Sequence, residues 1–142
     1  MSRQGTPTVL RLGALLAAGA VILGALGAHA LADRLSPESL TSFITGVRYQ
    51  LWHALALLLL GALRDHLTSA AFRQTALLFL AGTLLFSGSI YALSTRSLFA
   101  PEGLRFLGPI TPLGGLLLIA GWIRLAAGIR PRPEGEQQPQ RD

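Results

Sequence analysis

Four long apolar runs, divided by short polar breaks, make up most of the chain. A helix needs about 20 mostly apolar residues to cross a bilayer. Leu12 to Ala32 supplies them without a formal charge. The next purely apolar stretch, Leu51 to Leu63, is interrupted by His53 and is too short alone. To span, it must extend back to about Phe43 and carry Arg48, Tyr49 and Gln50 into or near the membrane. A third span is expected from about Thr75 to Thr95, and a fourth from Phe106 to about Ile129. The predicted fold is an all-α membrane protein, an antiparallel bundle of four transmembrane helices.

The breaks carry their own signals. Ser36-Pro37-Glu38 combines a helix cap, a first-turn proline and an acid at a helix start. From there Leu40, Phe43, Ile44, Val47 and Leu51 recur at helical spacing, predicting an amphipathic turn that feeds straight into the second span. Thr68 or Ser69 is placed to cap the third helix. The tail from Pro131 to Asp142 has nothing to bury and is expected to be disordered. Arginine counting sets an orientation. One side receives Arg3, Arg11, Arg64, Arg73, Arg124, Arg130 and Arg132; the other receives Arg34, Arg48, Arg96 and Arg105. Seven against four puts both termini in the cytoplasm. A competing pattern exists: Arg3 and Arg11, an apolar run and Ala28-His29-Ala30 imitate a cleavable signal peptide, although the run exceeds the usual 7–15 residues of such a region.

Composition narrows the class. Of 142 residues, 51% are hydrophobic and 13% charged, with a mean hydropathy of +0.50, against about 25% charged in soluble domains. This argues against a soluble enzyme, a disulfide scaffold and a disordered chain. There is no Cys, so thiolate chemistry and Cys-ligated metal are excluded. All twelve basic residues are Arg, which excludes Schiff-base and P-loop lysines. The arginines sit singly or in pairs between apolar runs, not clustered as a nucleic-acid face requires, so no nucleic acid is expected as a partner.

Against this background the few polar residues stand out by depth. With antiparallel spans, His29 falls about one turn from the outer end of the first, and Arg48, Tyr49, Gln50 and His53 in the outer half of the second. Thr83, Ser87, Tyr91 and Ser94 form a stripe on the third, and Thr111 opens the fourth from the same side. The candidate polar cluster is therefore His29, Arg48, Tyr49, Gln50, His53, Ser87, Tyr91 and Thr111. Intramembrane ionisable groups are costly enough to suggest a functional site. Each also has a structural explanation. A membrane histidine can serve as an interhelical hydrogen-bonding group, Arg48 can snorkel or pair with Asp33 or Glu38, and Tyr49, Trp52 and Tyr91 suit an aromatic belt. A metal site needs three or four ligands, and two histidines without Cys or an intramembrane acid fall short, so no metal and no cofactor are assigned. Bis-histidine haem would need His29 and His53 to meet. A Ser–His catalytic pair has no supporting signature, and a proton path lacks an acidic relay.

Small residues are expected to pack helices closely. Gly13, Ala17, Ala20, Gly24 and Ala28 share a face of the first helix, with Gly88 on the third and Gly114, Gly115 and Gly121 on the fourth.

Taken in order, these motifs resemble a known family. Gly24-Ala25-Leu26-Gly27-Ala28-His29-Ala30-Leu31, Thr45-Gly46-Val47-Arg48-Tyr49-Gln50 with His53-Ala54-Leu55-Ala56, Leu85-Phe86-Ser87-Gly88-Ser89-Ile90-Tyr91, and Ile110-Thr111-Pro112-Leu113-Gly114-Gly115 through Ala120-Gly121-Trp122 are similar to the YgdD-like small inner-membrane proteins (DUF423), whose eukaryotic relatives are called transmembrane protein 256. The resemblance implies a multi-pass membrane protein with its first helix retained and no established activity. The chain thus reads as a non-enzymatic structural or accessory membrane component, with the lipid bilayer and a membrane-protein partner or second copy around it. The alternative is a ligand-, ion- or proton-handling protein that uses the His/Arg/Tyr cluster.

Overall fold

A computed structural model describes residues 5–99, 104 and 107–130. Four helices account for nearly all of these: α1 (Thr6–Ala28), α2 (Pro37–Ala62), α3 (Ser69–Phe99) and α4 (Ile110–Gly128). Each is long and apolar enough to cross a membrane. Among the described residues the only strand-like feature is a single bridge between Leu67 and Ile129. The expected tail from Pro131 onward lies outside the described residues, as do Arg3, Arg105, Arg132 and Phe106, where the fourth span was expected to begin.

Local chemistry sets the helix ends. Pro7 sits in the first turn of α1, where its missing N–H costs nothing, so the helix starts earlier than the charge-free run implied. It also stops earlier, at Ala28. Residues 29–35 form hydrogen-bonded turns, with Leu35 N–H donating to the Leu31 carbonyl, and this bend brings Leu31 against the Phe43 cluster and buries Leu35. Ser36 caps α2 through its Oγ, which accepts from Ser39 N–H at 3.2 Å. From Pro37 the helix continues unbroken past Arg48 and His53. Of the two candidates for capping α3, Thr68 takes the role: its Oγ1 accepts from Ala71 N–H at 2.9 Å.

The helices pack in chain order, α1 on α2, α2 on α3 and α3 on α4. The middle pair is therefore the more enclosed. Half of the apolar stretch of α2 is buried, against 17% for α1 and 22% for α4. Leu15, Val21 and Ile22 of α1 and Leu116, Ile119 and Ile123 of α4 point outward, as lipid-facing residues must. Apolar packing falls into two clusters. The larger, around Leu57, Leu60, Phe72, Phe79 and Leu118, lies toward the end that carries the chain termini. The smaller, around Ala20, Phe43 and Val47, lies toward the end of the α1–α2 and α3–α4 connections.

Glycines allow the helices to approach. A Cβ at Gly114 would strike the Phe86 backbone nitrogen, and one at Gly121 would lie 2.6 Å from the Phe79 ring. At Gly13 it would lie 3.0 Å from the Ala54 carbonyl oxygen. At Gly24 and Gly115 it would meet only ordinary contacts, with Val47 and Phe86. Gly88 corrects the sequence expectation: a Cβ there meets nothing within 4 Å, because this face of α3 turns away from the other helices. Ala17 is partly buried, whereas Ala28 is exposed at the end of α1.

Candidate functional site

Between the two apolar clusters runs a belt of hydrogen-bonded polar side chains. Gln50 is its hub. The Gln50 Nε2 donates to the Leu16 carbonyl of α1 at 2.9 Å, and its Oε1 accepts from the Tyr91 hydroxyl of α3 at 2.9 Å. One amide on α2 thereby ties three helices, and it is 7% exposed. Ser87 of α3 donates to the Gly46 carbonyl of α2 at 2.8 Å. The α3–α4 seam is joined by the hydroxyls of Ser89 and Thr111 at 2.7 Å. Ser89 also donates to the Phe86 carbonyl, so its single proton is spent and Thr111 supplies the proton between the two hydroxyls.

His53 links α2 to α4. Its Nδ1 lies 2.8 Å from the Tyr49 carbonyl oxygen, and its Nε2 lies 3.1 Å from the Trp122 indole nitrogen. A carbonyl can only accept and an indole N–H can only donate. The pair of contacts therefore fixes the neutral tautomer with the proton on Nδ1. Phe79 meets the imidazole edge-on at 5.5 Å and packs on Trp122 at 4.9 Å. With both ring nitrogens engaged, this imidazole offers no lone pair to a haem iron or another metal. Among the described residues no group of three or more His, Asp or Glu is placed to hold a metal ion.

The structure thus gathers Gln50, His53, Ser87, Tyr91 and Thr111 into interhelical contacts, with Tyr49 packed on Phe86 at 4.6 Å. It does not bring His29 and Arg48 to them. His29 terminates α1 and is exposed. Gly27 faces Phe43 and Ile44, while Gly13 faces Ala54 and Leu57. His29 is therefore level with about residue 42 of α2, some 11 residues or about 16 Å along the axis from His53. The two histidines do not meet. Arg48 is exposed on the outer side of α2 and pairs with neither Asp33 nor Glu38. From there its guanidinium is free to extend toward the headgroups.

The candidate cluster left out the partners that complete these contacts, Trp122, Ser89 and Phe79, although Ser89 and Trp122 stand in the motifs of the resemblance. The signal was present for Trp122, a large aromatic placed one residue after the close-packed Gly121. The cluster also left out a second place, at the connection end. There a cleft of about 530 Å³ opens between the first turns of α2, the last turns of α3 and the start of α4, lined by Glu38, Ser39, Ser42, Ser94, Arg96 and Thr111 among others.

Known proteins place the chain. The family model described as "Protein of unknown function (DUF423)" matches residues 23–115. The chain is 43% identical to the UPF0382 membrane protein YwdK of Bacillus subtilis over 115 residues, 80% of this chain and 89% of that one. It is 43% identical to a UPF0382 membrane protein of Haemophilus influenzae over 110 residues, 76% and 82% of the two chains. With the UPF0382 inner membrane protein YgdD of Escherichia coli it shares 36% identity over 116 residues, 81% and 84% of the two chains. No solved structure matches it. A family model that covers most of the chain, relatives matched over most of their length and four apolar helices agree: the chain belongs to the DUF423 family, multi-pass membrane proteins of unknown function.

Proposed function

We propose that the protein is a non-catalytic structural or accessory component of the membrane, in which the polar belt locks the helices together. The observation that carries this reading is Gln50, whose amide is used at both ends to join α1, α2 and α3. A proton- or ion-handling site needs titratable groups open to a path. Here the imidazole of His53 is closed by Tyr49 and Trp122, and His29 and Arg48 lie apart from it. The four spans form one membrane domain, followed by a polar tail. By the arginine count, both termini face the cytoplasm, and the name of the Escherichia coli relative supports the inner membrane. A partner protein or a second copy would meet it along the outward apolar faces of α1 and α4.

The test combines stability with flux. Purified protein reconstituted in vesicles is expected to conduct protons no faster than empty vesicles, and His53→Ala is expected to lower the thermal midpoint without altering flux. Proton flux above background that His53→Ala abolishes, with an unchanged midpoint, would overturn the reading.

A further inference from the structure

The connection-end cleft differs from the belt in that most of its polar groups are unspent, Thr111 being bonded to Ser89 and Ser39 to Ser36. Ser94 lines it and is only 5% exposed, yet its hydroxyl makes no hydrogen bond among the described residues. Its neighbours behave otherwise: Thr95 donates to the Tyr91 carbonyl and Ser89 to that of Phe86. Glu38 and Arg96, of opposite charge, line the same cleft, and neither forms an ion pair among the described residues. Ser42 adds a further hydroxyl that forms no hydrogen bond among the described residues. The volume, about 530 Å³, falls in the range of small-ligand sites, roughly 300–1,000 Å³.

Depth says what meets this cleft. Ser94 lies ten residues beyond the midpoint of α3 (Ser69–Phe99). That is about 15 Å at 1.5 Å per residue, half the thickness of a hydrocarbon core of about 30 Å. The cleft therefore opens at the boundary where lipid headgroups lie. We propose that it binds a phosphate ester bearing a primary ammonium, as presented by a phosphatidylethanolamine headgroup. Arg96 and the hydroxyls of Ser42 and Ser94 hold the phosphate, while the Glu38 carboxylate accepts from the ammonium. Arginine matches phosphate through its fork of N–H donors. A quaternary ammonium has no N–H to give Glu38, and an uncharged glycerol headgroup has no cation, so the site distinguishes ethanolamine from choline and glycerol lipids.

Full-length protein in mild detergent is titrated with dioleoyl phosphatidylethanolamine, phosphatidylcholine or phosphatidylglycerol, or with free phosphoethanolamine. Thermal midpoint and lipid retention in native mass spectrometry are read. The ethanolamine lipid is expected to raise the midpoint by about 5 °C and to be retained as one molecule, with markedly smaller effects from the other two lipids. Glu38→Gln and Arg96→Gln should remove that increment while leaving the lipid-free midpoint within about 1 °C, as exposed positions usually do. Arg96→Lys, which keeps the charge but loses the fork of donors, should retain only part of it. A response to free phosphoethanolamine without one to the lipid would keep the binding chemistry and assign it to a soluble ester. Equal increments from all three lipids, or an ethanolamine preference that survives both Gln variants, would overturn the proposal.

Discussion

The belt at mid-depth and the cleft at the connection end hold similar side chains in opposite states. In the belt, Gln50, His53, Ser87 and Ser89 each meet a partner on another helix. In the cleft, Glu38, Ser42, Ser94 and Arg96 line open space, and among the described residues no contact from one helix to another engages their polar groups. Hydrocarbon explains the first state, since at that depth only the protein can supply partners, although the buried hydroxyls of Thr75 and Thr83 go without one. The second arises where water and headgroups are within reach and can supply partners. Polarity alone is therefore a poor guide to function in this fold; what separates scaffold from binding site is whether the partners are already supplied.

The sealed interior should break first, and most severely where backbones touch. Gly114→Ala places a methyl group against the Phe86 amide, an obstacle that no side-chain rotation removes. Overpacking costs typically about 1–3 kcal/mol, occasionally more, and this site belongs at or above the upper end. Chemical denaturation in detergent measures it, and a wild-type midpoint would mean that α3 and α4 are not held at this spacing. Next comes the hub of the belt. Gln50→Leu and Tyr91→Phe, alone and combined, form a double-mutant cycle across their 2.9 Å hydrogen bond. The expected coupling is about 0.6–2 kcal/mol, as for other interhelical bonds in membranes. Coupling indistinguishable from zero would remove Gln50 from its place as the lock. Gly88→Ala belongs lower in the scale. The added methyl meets open space, and alanine favours the helix, so stability should rise by about 0.4–1 kcal/mol. A loss in a native membrane, absent in detergent, would show that another protein uses that face.

Much of this was legible in the sequence, for a physical reason. Span number follows from hydropathy, the start of α2 from Ser36-Pro37-Glu38, and the nearness of Gln50, Ser87 and Tyr91 from the antiparallel order of the spans; His29, expected at the same depth, lies apart because α1 ends at Ala28. Azimuth was not legible. Lipid is as apolar as the protein interior, so an outward face reads much like an inward one, and Arg48 looks no different on paper from Gln50. In the structure the first is exposed and the second buried. The cleft escaped notice because Glu38 and Arg96 read as ordinary loop charges until the packing of three helices set them around one space.

The smallest effects give the sharpest comparison, because one chemical edit can be made in both regions. Thr83 of α3 is 2% exposed, and its hydroxyl is sealed without a partner; Ser94 is similarly buried, but its side chain lines the cleft. Thr83→Val and Ser94→Ala each delete a hydroxyl that forms no hydrogen bond among the described residues. Removing an unsatisfied polar group is close to neutral or mildly stabilising, so neither variant should lower the thermal midpoint of the lipid-free protein. They should part only when ethanolamine lipid is added. Thr83→Val should keep the wild-type increment, since its hydroxyl reaches nothing outside the bundle, whereas Ser94→Ala should lose part of it. A loss of stability in Thr83→Val would instead reveal a buried water bonded to that hydroxyl, and the interior would then be less completely closed than its direct contacts indicate. An unchanged increment in Ser94→Ala would leave Arg96, Ser42 and Glu38 to hold the headgroup without it.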